Sequence, residues 1–113
     1  MPHAPLVTNL TDSRGALFRI LSTTARSQTA TMTIPPGQEA GPAETHADSD
    51  QIIHVVQGQA QVRLWTKGDD AAPERHECPT GTLLVIPAGT RHRVKNVGHE
   101  DLFFLTVYSP PEY

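Results

Sequence analysis

The chain is predicted to fold as an all-β sandwich or barrel, on three observations. Ten prolines and eight glycines punctuate its 113 residues, and they bound short apolar runs. Those runs alternate and favour β-branched residues, as in Thr29-Ala-Thr-Met-Thr-Ile34. No window sustains a 3.6-residue period, so long helices are not expected.

Taken in order, residues 1–13 read as a flexible N-terminal arm, and residues 14–113 as a single domain. Leu17–Leu21 is the first expected strand and Thr29–Ile34 the second, stopped by Pro35-Pro36-Gly37. Ala43–His46 is a short candidate strand. Ile52–Val56 is a strand closed by Gln57-Gly58, and Ala60–Thr66 is its hairpin partner. Residues 67–80 are polar and read as a long loop, with room for a short strand around His76. Leu83–Ile86, His92–Val97 and Leu102–Tyr108 complete eight or nine strands. Ser109-Pro-Pro-Glu-Tyr113 cannot continue a central strand.

Bulk composition narrows the function classes. The hydrophobic fraction is 37% and the aromatic fraction 5%, so the core is expected to be aliphatic. A net charge of −3 speaks against a nucleic-acid partner. Arg91, Arg93 and Lys95 alternate along one strand, and read as a solvated or interface face. Cys78 is the single cysteine, which excludes an internal disulfide, and nothing beside it lowers its pKa. The first residues lack the basic and apolar regions of a leader, and no run approaches membrane-spanning length. A cytoplasmic protein with no membrane partner is expected. Several strands are apolar on both faces: Ile52 and Val56 oppose Ile53 and Val55, and Leu102 and Phe104 oppose Phe103, Leu105 and Val107. A second subunit covering the outer face, as in a homodimer, would account for this.

The chemistry concentrates in two stretches. The first is Glu44-x-His46-x4-Gln51-x6-Gly58. In an extended segment, side chains two apart share a face, so Glu44 and His46 point together, and Gln51 opens the next strand. The second is Gly81-x5-Pro87-x-Gly89-x2-His92-x3-Asn96. Here a turn delivers His92 to the start of a strand whose Val94 and Asn96 share its face. Each residue has a plainer role to weigh. Glu44 could be a rim carboxylate, Gln51 a partner of the turn backbone, and His46 and His92 structural histidines. Asp48 and Asp50 read as caps of their own turn. His54 points away from the site by parity. His3, His76 and His99 fall in an arm, a loop and a turn. Asn96 reads as a strand-end hydrogen bonder, and Tyr108 and Arg63 as further polar groups for a pocket.

These motifs resemble those of the small single-domain cupins. The second stretch matches the family's second motif at Gly81, Pro87, Gly89, His92 and Asn96. The first fits from Glu44 to Gly58, with Gly37 near the leading glycine, but Glu44 replaces a histidine and Gln51 a glutamate. The tail Tyr108-Ser-Pro-Pro-Glu112 is similar to that of a subgroup with an H-x4-Q first motif. The resemblance implies a cupin-type double-stranded β-helix (jelly-roll) barrel. It implies a divalent transition metal (Fe, Mn, Ni or Zn) on Glu44, His46, Gln51 and His92, since two histidines and a carboxylate suit these ions. Glu44, if unligated, would be the natural general base. The function implied is a metal-binding barrel with a small-molecule ligand, acting as an isomerase- or dioxygenase-type enzyme on a small oxygenated organic molecule. The alternative is a non-catalytic ligand-binding or sensing barrel whose metal is structural or absent.

Overall fold

The computed structural model describes residues 4–113, so His3 lies outside the described residues. Eight strands form two facing sheets, a jelly-roll. They are β1 (Arg19–Thr23), β2 (Gln28–Ile34), β3 (Asp50–Gln57), β4 (Gln59–Trp65), β5 (Glu74–Pro79), β6 (Leu83–Ile86), β7 (Arg91–Asn96) and β8 (Leu102–Ser109). One sheet has the order β1-β2-β8-β3-β6 and the other β5-β4-β7. All ladder pairs are antiparallel. No helix among the described residues is long and apolar enough to cross a membrane.

Alternation builds the core. Ile53 and Val55 of β3, Ala60, Val62 and Leu64 of β4, and Met32 and Phe104 of β2 and β8 turn inward and are buried. The pattern in β4 is a strict alternation, with Arg63 and Trp65 on the outer face. The core is mainly aliphatic, as the composition implied.

Four expectations are corrected. Ala60–Thr66 is not the hairpin partner of Ile52–Val56: β3 lies between β8 and β6 in the larger sheet, and β4 lies between β5 and β7 in the smaller one. The short strand allowed around His76 extends over the whole of residues 74–79, because β5 pairs with β4 from Gln59–Pro79 to Leu64–Glu74. Ala43–His46 is not a strand. Glu44 makes only an isolated bridge to His92. The first strand begins at Arg19 rather than Leu17.

The larger sheet has an outer face in two parts. At one end the chain covers itself. A 3-10 turn at Leu10–Ser13 brings Ser13 Oγ to 2.7 Å from Thr31 Oγ1. Gly15 N donates to Thr33 Oγ1 at 2.9 Å, and the Arg14 guanidinium lies 5.1 Å from the centre of the Phe103 ring. Phe103 is therefore fully buried although it points outward. At the other end Ile52, Leu83 and Val85 stay exposed.

The smaller sheet carries the basic residues outward. Arg63 stands opposite both Arg75 and Arg93 on the outer face of β4, and it does not line the barrel cavity. Arg91 lies 4.8 Å from the Trp65 ring centre, and Arg93 pairs with Glu39.

Candidate metal site

Glu44 and His92 are locked together by main-chain bonds. Glu44 N donates to His92 O at 2.9 Å and His92 N to Glu44 O at 2.8 Å. Two residues on, Gly89 N donates to His46 O at 2.8 Å. The Glu44–His46 segment is thus stitched onto the turn that precedes β7, without becoming a strand. That turn closes through Thr90 N to Pro87 O, 3.2 Å. Asp50 Oδ1 accepts from Ala88 N of the same turn at 2.9 Å. Asp50 therefore caps the His92 turn and not its own, while Asp48 is exposed.

The side chains then converge. One ligating atom each from Glu44, His46 and His92 all lie within 4.8 Å of one another. His46 Nε2 is 3.8 Å from Glu44 Oε2, and the two imidazole centres are 5.0 Å apart. Both histidines are buried, and Glu44 is half-exposed at the rim.

Hydrogen bonds fix which nitrogen of each ring faces the cluster. His92 Nδ1 is 3.0 Å from Thr90 O, and a carbonyl only accepts, so Nδ1 carries the proton. His46 Nδ1 is 3.0 Å from Glu112 Oε1, so it too is the donor. Both Nε2 atoms are left as lone-pair donors to the site, the arrangement a metal-bound imidazole needs. Burial lowers the pKa of His92 below the usual histidine value, against the smaller opposing effect of its bond to Thr90. The neutral, ligating form is thereby favoured.

Gln51 is buried and opens β3 facing inward. Its Nε2 donates to Thr106 Oγ1 at 3.0 Å and to Tyr108 Oη at 3.4 Å. Its Oε1 is buried and has no partner within the protein, and among the described residues the only other buried side-chain polar atom so placed is Arg93 Nε. A buried acceptor without a donor is costly, and a cation beside it would relieve that. The two imidazole nitrogens and the carboxylate form a group that could hold a metal ion, and Gln51 lines the same cavity.

A cavity of about 230 Å³ opens above this cluster. Phe18, Met32 and Phe104 give it an apolar wall, while Tyr108 and Tyr113 add hydroxyls. It is small beside the roughly 300–1,000 Å³ typical of ligand pockets. Burial raises the Tyr108 pKa well above the ordinary tyrosine value, with the neighbouring Tyr113 adding to the rise. Its hydroxyl therefore stays protonated and able to donate. Tyr113 Oη donates to Glu44 Oε2 at 3.3 Å.

His54, as parity required, is exposed on the opposite face of β3. His76 is an exposed residue of β5, and His99 lies in a bend. Asn96 is fully buried and bonds only main chain. Reading the sequence missed Phe18, Glu112 and Tyr113. The only trace of the last two was the Pro-Pro-Glu tail, whose return to the site is a tertiary event.

Comparison with known proteins agrees with this fold. Residues 30–108 match the family described as Cupin domain. An uncharacterized protein of Acanthamoeba polyphaga mimivirus is 33% identical over 96 residues, which is 84% of this chain and 57% of that protein. The chain spans between half and three fifths of the length of the curated relatives it matches. A Bacillus halodurans protein of known crystal structure superposes with a TM-score of 0.88 at 32% identity, over 97% of this chain and 84% of that one. An RmlC-like cupin family protein with a double-stranded β-helix fold, from Methanocaldococcus jannaschii, superposes with a TM-score of 0.73 at 18% identity, over 95% and 91% of the two chains. That second likeness shows the fold alone. The family match runs from β2 to β8 and takes in every strand that supports the Glu44–His46–His92 cluster, and the chain therefore belongs to the cupin family.

Proposed function

We propose that this cupin holds a divalent transition metal (iron, manganese, nickel or zinc) on His46, His92, Glu44 and Gln51. On this reading it acts on a small oxygenated organic molecule, with chemistry of the isomerase or dioxygenase type. The observation that carries it is the pair of imidazoles whose Nδ1 atoms are both tied back, to Glu112 and Thr90, which leaves both Nε2 lone pairs free in residues that cluster with Glu44. The unpartnered Gln51 Oε1 adds to it.

A bound metal would supply Lewis-acid polarisation of a substrate oxygen, or dioxygen chemistry in the case of iron. The protein's own groups do the rest. Glu44 stands between the buried cluster and solvent, where its carboxylate, when not ligated, can take up and return a proton. The protonated Tyr108 hydroxyl can donate to a substrate oxygen. Phe18, Met32 and Phe104 keep bulk water off the reacting centre and pack the apolar part of the substrate.

The test is elemental analysis of purified protein beside His46→Ala and His92→Ala. Near-stoichiometric metal is expected in the parent and trace metal in both variants. Unchanged content in the two variants would remove the site. Turnover of small keto acids, sugars and catechols by metal-loaded protein then tests catalysis.

The second reading is a ligand-holding barrel without catalysis. Its support is the Tyr113 hydroxyl on Glu44, which engages the carboxylate that would serve as base. It requires apo and metal-loaded protein to bind a given ligand equally well. The setting proposed is the cytoplasm, where an unpaired buried thiol such as Cys78 is at home. The assembly proposed is a homodimer, supported by the exposed apolar residues Ile52, Leu83 and Val85 on the outer sheet face.

A further inference from the structure

The chain after β8 returns across the mouth of the barrel, and its position there is fixed from several sides. Gln28 is fully buried at the start of β2. Its Oε1 accepts from Tyr113 N at 2.8 Å and from Glu112 N at 3.3 Å, and its Nε2 donates to Tyr113 O at 2.6 Å. Ser49 is buried three residues after His46. Its hydroxyl is shared between Pro110 O at 2.7 Å and Glu112 Oε2 at 3.0 Å. The Tyr113 ring packs edge-on against Phe18, Tyr108 and His46, at 5.1, 5.3 and 6.0 Å.

These contacts determine both ends of Glu112. Gln28 fixes its backbone, and Ser49 holds one carboxylate oxygen. The other oxygen then has one place to go, and it meets His46 Nδ1 at 3.0 Å. An exposed ion pair formed by two loose side chains would contribute little. Here the imidazole is 6% exposed, so the bond is sheltered and its geometry is imposed by the fold.

We propose that Glu112 is a positioning residue for His46: its carboxylate holds the imidazole in the tautomer and orientation that turn Nε2 toward Glu44 and His92, and thereby strengthens binding of a divalent metal. The proposal rests on the metal-site reading above, and it adds a residue from outside both cupin motifs. The physical reason is general. A carboxylate on the far nitrogen of a ligating histidine fixes the ring and raises its basicity, and removing such a partner lowers metal affinity about 10- to 100-fold. His92 serves as the internal contrast, because a backbone carbonyl holds its Nδ1 and no side-chain change can remove that acceptor.

The test uses the parent chain with Glu112→Ala and Glu112→Gln. Ring ¹⁵N shifts of the apo protein in alkaline buffer report the tautomer of each histidine without any metal. Competition of zinc(II) against a chelator reports affinity. In the parent, His46 is expected as the Nδ1–H tautomer. In Glu112→Ala it becomes a mixture while His92 is unchanged, and zinc affinity falls about 10- to 100-fold. Glu112→Gln keeps an acceptor oxygen, so it restores the tautomer and recovers part of the affinity. An unchanged His46 tautomer in Glu112→Ala overturns the proposal. So does an unchanged affinity, in a protein whose zinc binding needs His46, even where unfolding shows a loss of stability. If the tautomer shifts as expected but His46→Ala and His92→Ala bind zinc as well as the parent does, Glu112 still positions the ring and it is the metal-site reading that fails.

Discussion

Asn96 has no exposed surface, and its side chain makes three hydrogen bonds. Its Nδ2 donates to Ile34 O at 2.8 Å and Glu100 O at 2.9 Å, and its Oδ1 accepts from Gly98 N at 2.9 Å. The amide closes the far end of β7 against the end of β2 and against the turn into β8. Asn96→Ala strands these groups, of which Ile34 O is the most deeply buried. Each orphaned buried group costs about 1–3 kcal/mol, so a loss of about 3 kcal/mol is expected. It would appear as a lower urea midpoint with an unchanged slope. Asn96→Asp should be no milder, since it sets an oxygen where two carbonyls need a donor. Gln51 has the same amide in a different state, with both donors used and the oxygen unpartnered. At this scale the sequence was partly legible. Spacing put Val94 and Asn96 on the face of His92, and the three are buried together. What spacing could not tell was the partner, because Ile34 is 62 residues away from Asn96 along the chain.

The elements show where local pattern and tertiary contact part. β3 and β4 were readable as strands because both alternate and Gly58 separates them, but they do not pair as a hairpin, since the chain crosses at Gly58 from one sheet to the other. Gly58 has φ +99°, and a Cβ there would lie 2.9 Å from Asp101 O and 3.0 Å from Leu102 Cα. Both penalties, backbone strain and collision with a main chain that is itself in a sheet, fall on one atom. Gly58→Ala is expected to cost at least about 2 kcal/mol, a fall in Tm of roughly 10 °C. Gly81 provides the comparison: its φ is +94°, but nothing lies within 4 Å of its Cβ position. Gly81→Ala should therefore lose only the strain, about 1 kcal/mol. Equal losses in the two variants, by calorimetry, would refute the collision. Other elements were hidden for a physical reason. β5 has only one buried residue, Cys78, because it is the edge of the smaller sheet, so it carries no apolar alternation to read. Glu44 and His46 were expected together on a strand. They do converge, but through bonds to the His92 strand and the Gly89 turn, which no local pattern encodes.

For the whole molecule, the outer face of the larger sheet sets the question of assembly. The pairing registers align Val85, Ile52 and Val107 in one row across β6, β3 and β8, and Leu83, His54 and Leu105 in the next. The two-sided apolar character read from the sequence has two sources. Phe103 is covered by the chain's own Arg14 segment, which the sequence did not indicate. Leu83 and Val85, 66% and 55% exposed, have no such cover. Full burial of side chains of this size contributes roughly 1.5–3 kcal/mol each, and a two-fold contact counts each residue twice. The homodimer reading therefore makes a definite prediction. Sedimentation at micromolar protein should give twice the chain mass for the parent, and the single-chain mass for the double variant Ile52→Glu, Val85→Glu. Placing charges in the middle of a desolvated patch costs on the order of 3 kcal/mol or more, which weakens association over 100-fold. Both side chains point away from the core, so circular dichroism and metal content of the variant should match the parent. A parent that sediments as a single chain at that concentration would leave the exposed rows without a second copy of this chain as their cover.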